Sequence, residues 1–178
     1  SYKRTQQDNA EIDRVVSHLL AERGHLSRVE PFSPLGYDER QFCSPGFDLP
    51  VGVLMRSRYG SFPEYHNSGD GLDFVTPQAL ADSAATVRQI VQILEENRTY
   101  VNLRPDGEPM LGRYGIYRAF GEADDRGRLQ EAVMWLLNQA NGTRDILTIA
   151  ERAGLPFELL LQAAQLLTEH GLLALANQ

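Results

Sequence analysis

The sequence predicts an α/β domain followed by a small, mostly helical domain of the winged-helix type. In the first part of the chain, short apolar segments alternate with helical patterns and with long turn-rich stretches, a pattern that favours a mixed α/β domain. In the last third, three helical patterns with short turns between them end in a short apolar segment, as in winged-helix domains. The 178 residues allow one medium domain or two small ones.

The first helix is predicted over "AEIDRVVSHLLAERG", with Asn9 as its N-cap and Gly24 at its end. "LSRVEPF" and "VGVLMRS" are then predicted as short strands. We expect the second strand to be buried, because its apolar residues do not alternate with polar ones. Between the two strands, "SPLGYDERQFCSPGFDLP" is rich in Pro and Gly and predicts a structured loop or a single helical turn.

A long segment without periodicity, Ser57 to Val75, comes next. Irregular connections of this length are uncommon in compact domains and are usually functional or disordered. Its large apolar residues give it something to bury and argue against disorder. After it, Thr76 and Pro77 are typical of a helix N-cap and first helical position. The apolar residues of this helix at helical spacing are Leu80, Ala84, Val87, Val91 and Leu94.

A turn-rich stretch around residues 98–127 predicts the domain boundary, so that the first domain covers residues 1–110 and the second 111–178. The three helices of the second domain are predicted over "LQEAVMWLLNQANG", "RDILTIAERAG" and "PFELLLQAAQLLTEHG". Thr143 is the predicted N-cap of the second helix, and Leu155 and Pro156 open the third. "LLALA" then predicts a closing strand.

Composition excludes several classes of partner. The net charge of −7 and the pI of about 5.1 argue against nucleic acid or an anionic membrane, because both need clustered cations. No apolar run approaches the length of a membrane span. The single cysteine, Cys43, allows no intrachain disulfide and fits a reducing compartment, so we expect a cytoplasmic protein. The N-terminal residues lack an apolar signal core and a starting Met, which favours a chain that is part of a longer polypeptide.

The predicted winged helix lacks the charges of a DNA reader. Its third helix, Pro156 to His170, contains no Lys or Arg, and residues 121–178 carry four basic and eight acidic side chains, a net charge of −4. Binding to DNA depends on cations that release counterions from phosphates. We therefore expect no nucleic-acid partner, and instead a docking or dimerising role that makes a homo-oligomer.

One histidine lies in the glycine-rich stretch "PEYHNSGDGLDFVTP", where no periodicity asks for it. His66 has three interpretations: a structural histidine, a metal ligand, or a base for Cys43 in a thiol hydrolase. A ligating imidazole needs a carboxylate or carbonyl on its other nitrogen, and Asp70 lies four residues further on. The thiol interpretation is the weakest, because "QFCSPG" has no nucleophile signature. The residues alone leave the first two open.

"YDERQFCSPGFDLPVGVLMRS" followed by "FPEYHNSGDGLDFVTP" resembles the second half of the catalytic domain of zinc-dependent aminopeptidases, a clan that includes the glutaminyl cyclases. Asp38 matches an Asp of the clan's acidic loop, His66 its last zinc ligand, and Asp70 the Asp four residues later. The other matches are Phe42, the turn at residues 47–50 and the strand at residues 51–54.

More narrowly, the chain resembles bacterial aminopeptidase-like proteins with a C-terminal winged helix, some of them labelled as polysaccharide-biosynthesis or antibiotic-pathway proteins. "YDERQFCSPG" and "ERAGLPF" carry this narrower resemblance, which covers essentially the whole chain.

The resemblance implies the second half of an α/β/α domain and a metal-dependent hydrolase of peptide or aminoacyl-amide bonds, with one or two zinc ions. His66 would hold one metal, Asp70 would orient it, and Asp38 and Glu39 would lie behind the ligands. We also assign Arg56, beside the loop, to a substrate carboxylate, against the alternative of a solvated loop charge. Glu39 stands where the clan usually has His, and the alternative to a role behind the ligands is that Glu39 and Arg40 simply pair with each other or with Asp38.

The same resemblance implies that this chain is incomplete as an enzyme. In the clan, the first His, a bridging Asp, a Glu base and a further carboxylate lie upstream of the matched part. A zinc site needs at least three protein ligands, so we expect the chain alone to be inert unless an upstream segment completes it. The alternative is a non-catalytic interaction or assembly module whose winged helix does not bind DNA.

Overall fold

A computed structural model of the chain describes residues 1–24, 27–118 and 123–176, with the backbone alone for 118 and 123–126. The chain divides into two compact units, Ser1–Glu95 and Glu96–Gln178. This division lies upstream of residue 110, where the sequence predicted it, because the strand Thr99–Asn102 pairs inside the second unit. Residues 119–122, within the turn-rich stretch used for that prediction, lie outside the described residues.

The first unit contains a small mixed sheet. Its central strand β1 pairs in parallel with β2, with Tyr2 opposite Val29, and antiparallel with β3, with Tyr2 opposite Leu54. The strands are β1 (Tyr2–Lys3), β2 (Val29–Glu30) and β3 (Val53–Leu54). The two predicted strands are therefore present but shorter than predicted, and the start of the first, Leu26, lies outside the described residues. The sequence did not predict β1, since two residues give no period.

Helix α1 (Glu11–Glu22) places one apolar face in the core of the first unit. Its N-cap is Ala10 rather than the predicted Asn9, because the side chain of Asp13 reaches back and its Oδ2 accepts a hydrogen bond from the Ala10 amide at 3.0 Å. The buried apolar residues of the helix are Val15, Val16, Leu19 and Leu20. Helix α2 is the single turn Glu39–Phe42, as one alternative for this loop predicted.

Helix α3 (Pro77–Glu96) begins at the predicted proline. Its buried residues are Thr86, Ile90 and Ile93, whereas much of the predicted apolar stripe is exposed: Leu80 by 61%, Val87 by 50% and Val91 by 50%. The helix therefore carries apolar side chains on more than one face. Helical spacing identifies an apolar face of a helix, but it does not decide which of two such faces is buried in the unit.

The second unit contains an antiparallel sheet with β4 at its centre, between β5 and β6. Three helices pack around it and bury Leu136, Ile146, Leu160 and Leu167 almost completely. The strands are β4 (Thr99–Asn102), β5 (Asn141–Asp145) and β6 (Leu173–Leu175), and the helices are α4 (Ala123–Gln139), α5 (Ile146–Ala153) and α6 (Phe157–Glu169). Two short 3-10 turns, Leu111–Tyr114 and Ile116–Arg118, precede α4.

The N-cap of α5 is Asp145, whose Oδ1 accepts a hydrogen bond from the Thr148 amide at 2.6 Å. The predicted cap, Thr143, lies inside β5 instead. Both residue types suit an N-cap, and strand pairing with β4 decides between them. The predicted class, α/β with a C-terminal, winged-helix-like unit, is confirmed. Within the described ranges, no helix combines the length and apolarity needed to cross a membrane.

Candidate functional site

The irregular segment between β3 and α3 folds into one wall of a cleft of about 690 Å³ in the first unit. His66 lies in this cleft with its backbone in the left-handed region, at φ 58°, a conformation that is uncommon for residues other than Gly but that Asn, Asp and His adopt more often than other side chains do. The cleft combines a few polar groups with a mostly apolar lining. Its polar side chains are Arg56, Ser57, Tyr59, Tyr65, His66 and Asp70, and its apolar ones are Leu54, Met55, Phe62, Phe74, Val75, Ala79 and Leu80.

The loop around His66 is shaped by Asn67. Its Nδ2 donates to the Pro63 carbonyl at 2.6 Å, and its Oδ1 accepts from the Gly69 amide at 2.9 Å. These bonds close a side-chain-to-backbone turn of the kind that Asn favours. Sequence reasoning missed this role, although the triplet Asn-Ser-Gly is itself a turn signal.

His66 and Asp70 share the cleft but are not bonded to each other. Asp70 donates its amide to the Asn67 carbonyl at 3.1 Å. In the part of the chain that the structure describes, neither hydrogen bonds nor ion pairs join its carboxylate to the imidazole. The roles of His66 as a ligand and Asp70 as its orienting carboxylate therefore stay predictions.

An aromatic cluster that the sequence analysis did not identify adjoins the imidazole on one side. The rings of Tyr65 and His66 are stacked, with centroids 4.1 Å apart and an angle of 16°. The edge of Phe62 packs on Tyr65 at 5.6 Å, and Tyr59 packs on Tyr37 at 4.9 Å. The hydroxyls of Tyr37 and Tyr65 are hydrogen-bonded to each other, and this bond raises the pKa of Tyr65 above its ordinary value. Burial, with a smaller contribution from the nearby Glu39 charge, raises the pKa of Tyr59.

Glu39 is buried and its carboxylate is paired with Lys3. The alternative that it pairs with Arg40 or Asp38 is wrong, because β1 brings Lys3 to the start of α2. Its Oε2 also accepts the amide of Tyr37 at 3.0 Å. Burial alone would raise the pKa of Glu39, but the hydrogen bonds from Lys3 and from backbone amides outweigh it and hold this pKa below the ordinary value. Asp38 is exposed and its side chain makes no capping bond to α2.

Arg56 connects the loop to α3. Its Nη1 donates to the Ala79 carbonyl at 3.0 Å and to the Ser83 hydroxyl at 3.4 Å, and lies 4.0 Å from the Asp82 carboxylate. The guanidinium therefore has a structural role at the edge of the cleft. Its assignment to a substrate carboxylate stays a prediction.

The described residues do not form a metal site by themselves. Among the side chains of residues 1–24, 27–117 and 127–176, no group of three or more His, Cys, Asp or Glu comes close enough to hold a metal ion. Cys43 is buried and its thiol donates to the Val51 carbonyl at 3.2 Å. Neither the thiol nor a carboxylate is therefore a partner of the His66 ring within these ranges.

The third helix of the second unit presents no cation to solvent. Its apolar side chains face the core, and its exposed side chains are Glu158, Gln162, Gln165, Thr168 and Glu169. A surface of carboxylates and amides is unfavourable for contacts with DNA phosphates. The expectation of no nucleic-acid partner stays a prediction with this support.

Comparison with known proteins agrees with the two-part organisation. Residues 1–97 match the family model of a domain of unknown function, DUF4910, and residues 98–175 match a winged helix-turn-helix model. A relative from Clostridium acetobutylicum, "Putative polysaccharide biosynthesis protein with aminopeptidase-like domain", is 45% identical over 175 residues, which are 98% of this chain and 40% of the relative.

A solved structure is similar to nearly the whole chain. The crystal structure of a "putative peptidase" from Clostridium acetobutylicum matches with a TM-score of 0.87 and 41% identity, over 98% of this chain and 38% of that chain. This chain therefore spans about two fifths of the length of both proteins. Both proteins have names that refer to peptidases, the class of protein that the sequence resemblance implied.

Proposed function

We propose that this chain, which belongs to the family of the domain of unknown function DUF4910, forms one wall of the active site of a metal-dependent, aminopeptidase-like hydrolase. In this proposal His66 is one metal ligand, and the other ligands come from a segment outside residues 1–178. The single observation that carries it is the placement of His66: an imidazole in a left-handed loop, facing a cleft that also contains Asp70 and Arg56.

The cleft supports a binding function on chemical grounds. Ligand sites are concave, mostly apolar and equipped with a few polar groups that orient the ligand, and the cleft at His66 has that composition. A peptide or aminoacyl-amide substrate has both kinds of group, an amide to polarise and side chains to bury. The two peptidase-like names among the similar proteins favour this substrate class.

Zinc is the metal that the proposal assigns, with one or two ions per protein. A single imidazole with a distant carboxylate does not fit a zinc site, which needs at least three protein ligands, and the described residues supply no such group. We therefore derive no catalytic step through the metal from this chain. Its own contributions would be to hold and orient one imidazole and to shape the cleft.

Removing the imidazole is the direct test. In the intact protein, His66→Ala is expected to lower the zinc content from about one or two ions per chain and to abolish aminoacyl-amide hydrolysis, because a zinc site depends on each of its few protein ligands for affinity and geometry. Elemental analysis and an amide-hydrolysis assay measure the two effects. His170→Ala is the control, because His170 is the C-cap residue of α6 in the second unit. This variant should change neither the zinc content nor the rate of amide hydrolysis. An intact wild-type protein without bound transition metal would contradict the proposal.

A second function, assembly through the winged-helix unit, is favoured by the cation-free face of α6. Without charges to hold phosphates, a winged helix can still dock another protein surface. We expect a stable homo-oligomer that dissociates when residues 121–178 are deleted, as measured by analytical ultracentrifugation. An oligomer that survives the deletion would contradict this role. Steeply salt-dependent binding of duplex DNA by the intact protein would instead indicate a DNA-binding domain.

A further inference from the structure

Three contacts connect the buried carboxylate of Glu39 to the imidazole of His66, although the two residues are far apart in sequence. Glu39 accepts the amide of Tyr37, Tyr37 shares a hydroxyl–hydroxyl bond with Tyr65, and Tyr65 stacks on His66. None of these contacts is part of a helix or a sheet ladder. They form a continuous path across the first unit, in which the first contact is made by the backbone amide of Tyr37 and the other two by side chains.

The path begins at the buried ion pair of Lys3 and Glu39. Lys3 donates to Glu39 and also to the carbonyls of Ser33 at 3.1 Å and Leu35 at 3.0 Å. Its three donors are therefore all used, and Glu39 is 4% exposed. Gly36 passes so close that an added Cβ would lie 1.8 Å from Glu39 Oε1, which shows how tightly the backbone wraps this ion pair. The amide of Tyr37 is thus held at 3.0 Å by an anchored carboxylate.

The middle of the path holds the ring of Tyr65 in one orientation. The hydroxyl of Tyr37 fixes one end of this ring, and Tyr37 is itself braced by the edge-on contact with Tyr59, at 4.9 Å between centroids. Phe62 packs edge-on against Tyr65 at 5.6 Å. The T-shaped contact with Phe62 and the bonded hydroxyl therefore both restrain the ring of Tyr65.

The path ends on an imidazole that is held, among the described residues, by this stack. His66 is exposed, and its described side-chain contact is with the ring of Tyr65, at 4.1 Å and 16°. A ligating or catalytic histidine needs a fixed ring plane, which proteins usually obtain from a hydrogen bond to its second nitrogen. Here the ring plane is fixed by stacking instead.

We propose that Tyr65 and Tyr37 are positioning residues for His66, and that the Lys3–Glu39 ion pair anchors them. This inference rests on the proposed function in one respect: it takes His66 as a residue of the site, so that the orientation of its ring matters for its role. The ring orientation itself can be measured without any metal.

The test uses variants that remove hydroxyls and keep rings. The intact protein is labelled in its histidine rings, and the His66 signals are assigned by their loss in His66→Gln. In the wild type, we expect nuclear Overhauser effects between the rings of Tyr65 and His66 and a His66 ring-proton resonance displaced by the stacked face. Tyr37→Phe and Tyr65→Phe should each weaken the Overhauser effects between the two rings. Each should also move the His66 ring-proton resonance toward the position of an unstacked imidazole. The double variant should match either single variant, because all three lack the same bond.

Tyr59→Phe is the matched control, since it lies in the same cluster and its hydroxyl makes no hydrogen bond within the described residues; it should leave both signals unchanged. Glu39 is not used as the test variant, because its loss destabilises the fold. If Tyr37→Phe leaves the His66 signals as in Tyr59→Phe, the positioning proposal is overturned.

Zinc titration separates this inference from the proposed function. A wild-type protein that binds no zinc would overturn the proposed function, while the ring signals would still decide whether Tyr37 and Tyr65 position His66.

Discussion

Replacing Lys3 by methionine is expected to lower the free energy of unfolding of the first unit by about 3–5 kcal/mol, the range found when one partner of a buried ion pair is removed. The side chains of Lys3 and Glu39 are 11% and 4% exposed, so the remaining carboxylate would stay in a poorly solvated position without its cation. The variant also loses the two bonds to the carbonyls of Ser33 and Leu35. Amide hydrogen exchange of α1, which is in the same unit, measures this loss.

The double variant Lys3→Met/Glu39→Leu distinguishes an unpaired charge from lost packing. Replacing both partners of a buried pair by apolar residues is often neutral, so most of the stability should return. Arg58→Ala is the exposed counterpart, since its pair with Glu30 is 3.6 Å long and its side chain is 67% exposed. That variant should change stability by less than about 1 kcal/mol. Equal losses in Lys3→Met and Arg58→Ala would refute the assignment of the large effect to burial.

The pH dependence of stability follows from the same pair. The folded protein holds the pKa of Glu39 below its ordinary value of 4.5, so the unfolded chain takes up this proton first. The contribution of Glu39 is therefore complete above about pH 4.5 and is lost as the pH falls through the folded value. In the Lys3→Met/Glu39→Leu variant, this part of the acid destabilisation should be absent.

Local signals in the sequence were sufficient for much of the fold. The proline at the start of α3, the Gly-Leu turn between α5 and α6 and the periodicity of these helices predicted the helical elements. Strand β1 was missed because two residues have no period, and β4 because its neighbours are turn-rich. Both are central strands, and their pairing partners lie far away in sequence, so only tertiary contacts define them.

The candidate site was predictable to a similar extent. His66 was identified because a histidine in a glycine-rich loop has no periodic explanation, and Asp70 because of its spacing. The partner of Glu39 was not predictable, since Lys3 is 36 residues away, and neither was the pair Tyr37 and Tyr65, which are 28 residues apart.

The second large effect is expected at Asp13, which is 1% exposed and accepts four hydrogen bonds. Its Oδ1 accepts from the Tyr2 hydroxyl at 2.9 Å and the Thr5 amide at 2.8 Å, and its Oδ2 from the Thr5 hydroxyl at 2.6 Å and the Ala10 amide at 3.0 Å. Every partner is a donor, so the site is satisfied by a side chain with two acceptor oxygens and no donor. The same contacts join β1 to the start of α1.

Asp13→Asn keeps the shape of the side chain but replaces one acceptor by an NH₂ group that faces two donors. Each buried donor left without an acceptor costs about 1–3 kcal/mol, so the loss for two donors should lower the free energy of unfolding of the first unit by about 2–6 kcal/mol. Asp13→Ala should cost more, because it removes both acceptors. Asp73→Asn, at an exposed position, is the control and should stay within about 0.5 kcal/mol of the wild type.

The measurement must follow the first unit by itself. The single tryptophan, Trp135, lies in α4 of the second unit, so its fluorescence reports that unit, whereas amide exchange of α1 reports the unit that contains Asp13. We expect faster exchange in α1 and an unchanged tryptophan transition. Because Tyr2→Phe removes one of the four donors, it should be less costly in the Asp13→Ala background than in the wild type. If the two substitutions were additive, the hydroxyl of Tyr2 would not depend on Asp13, and the network would not be what joins β1 to α1.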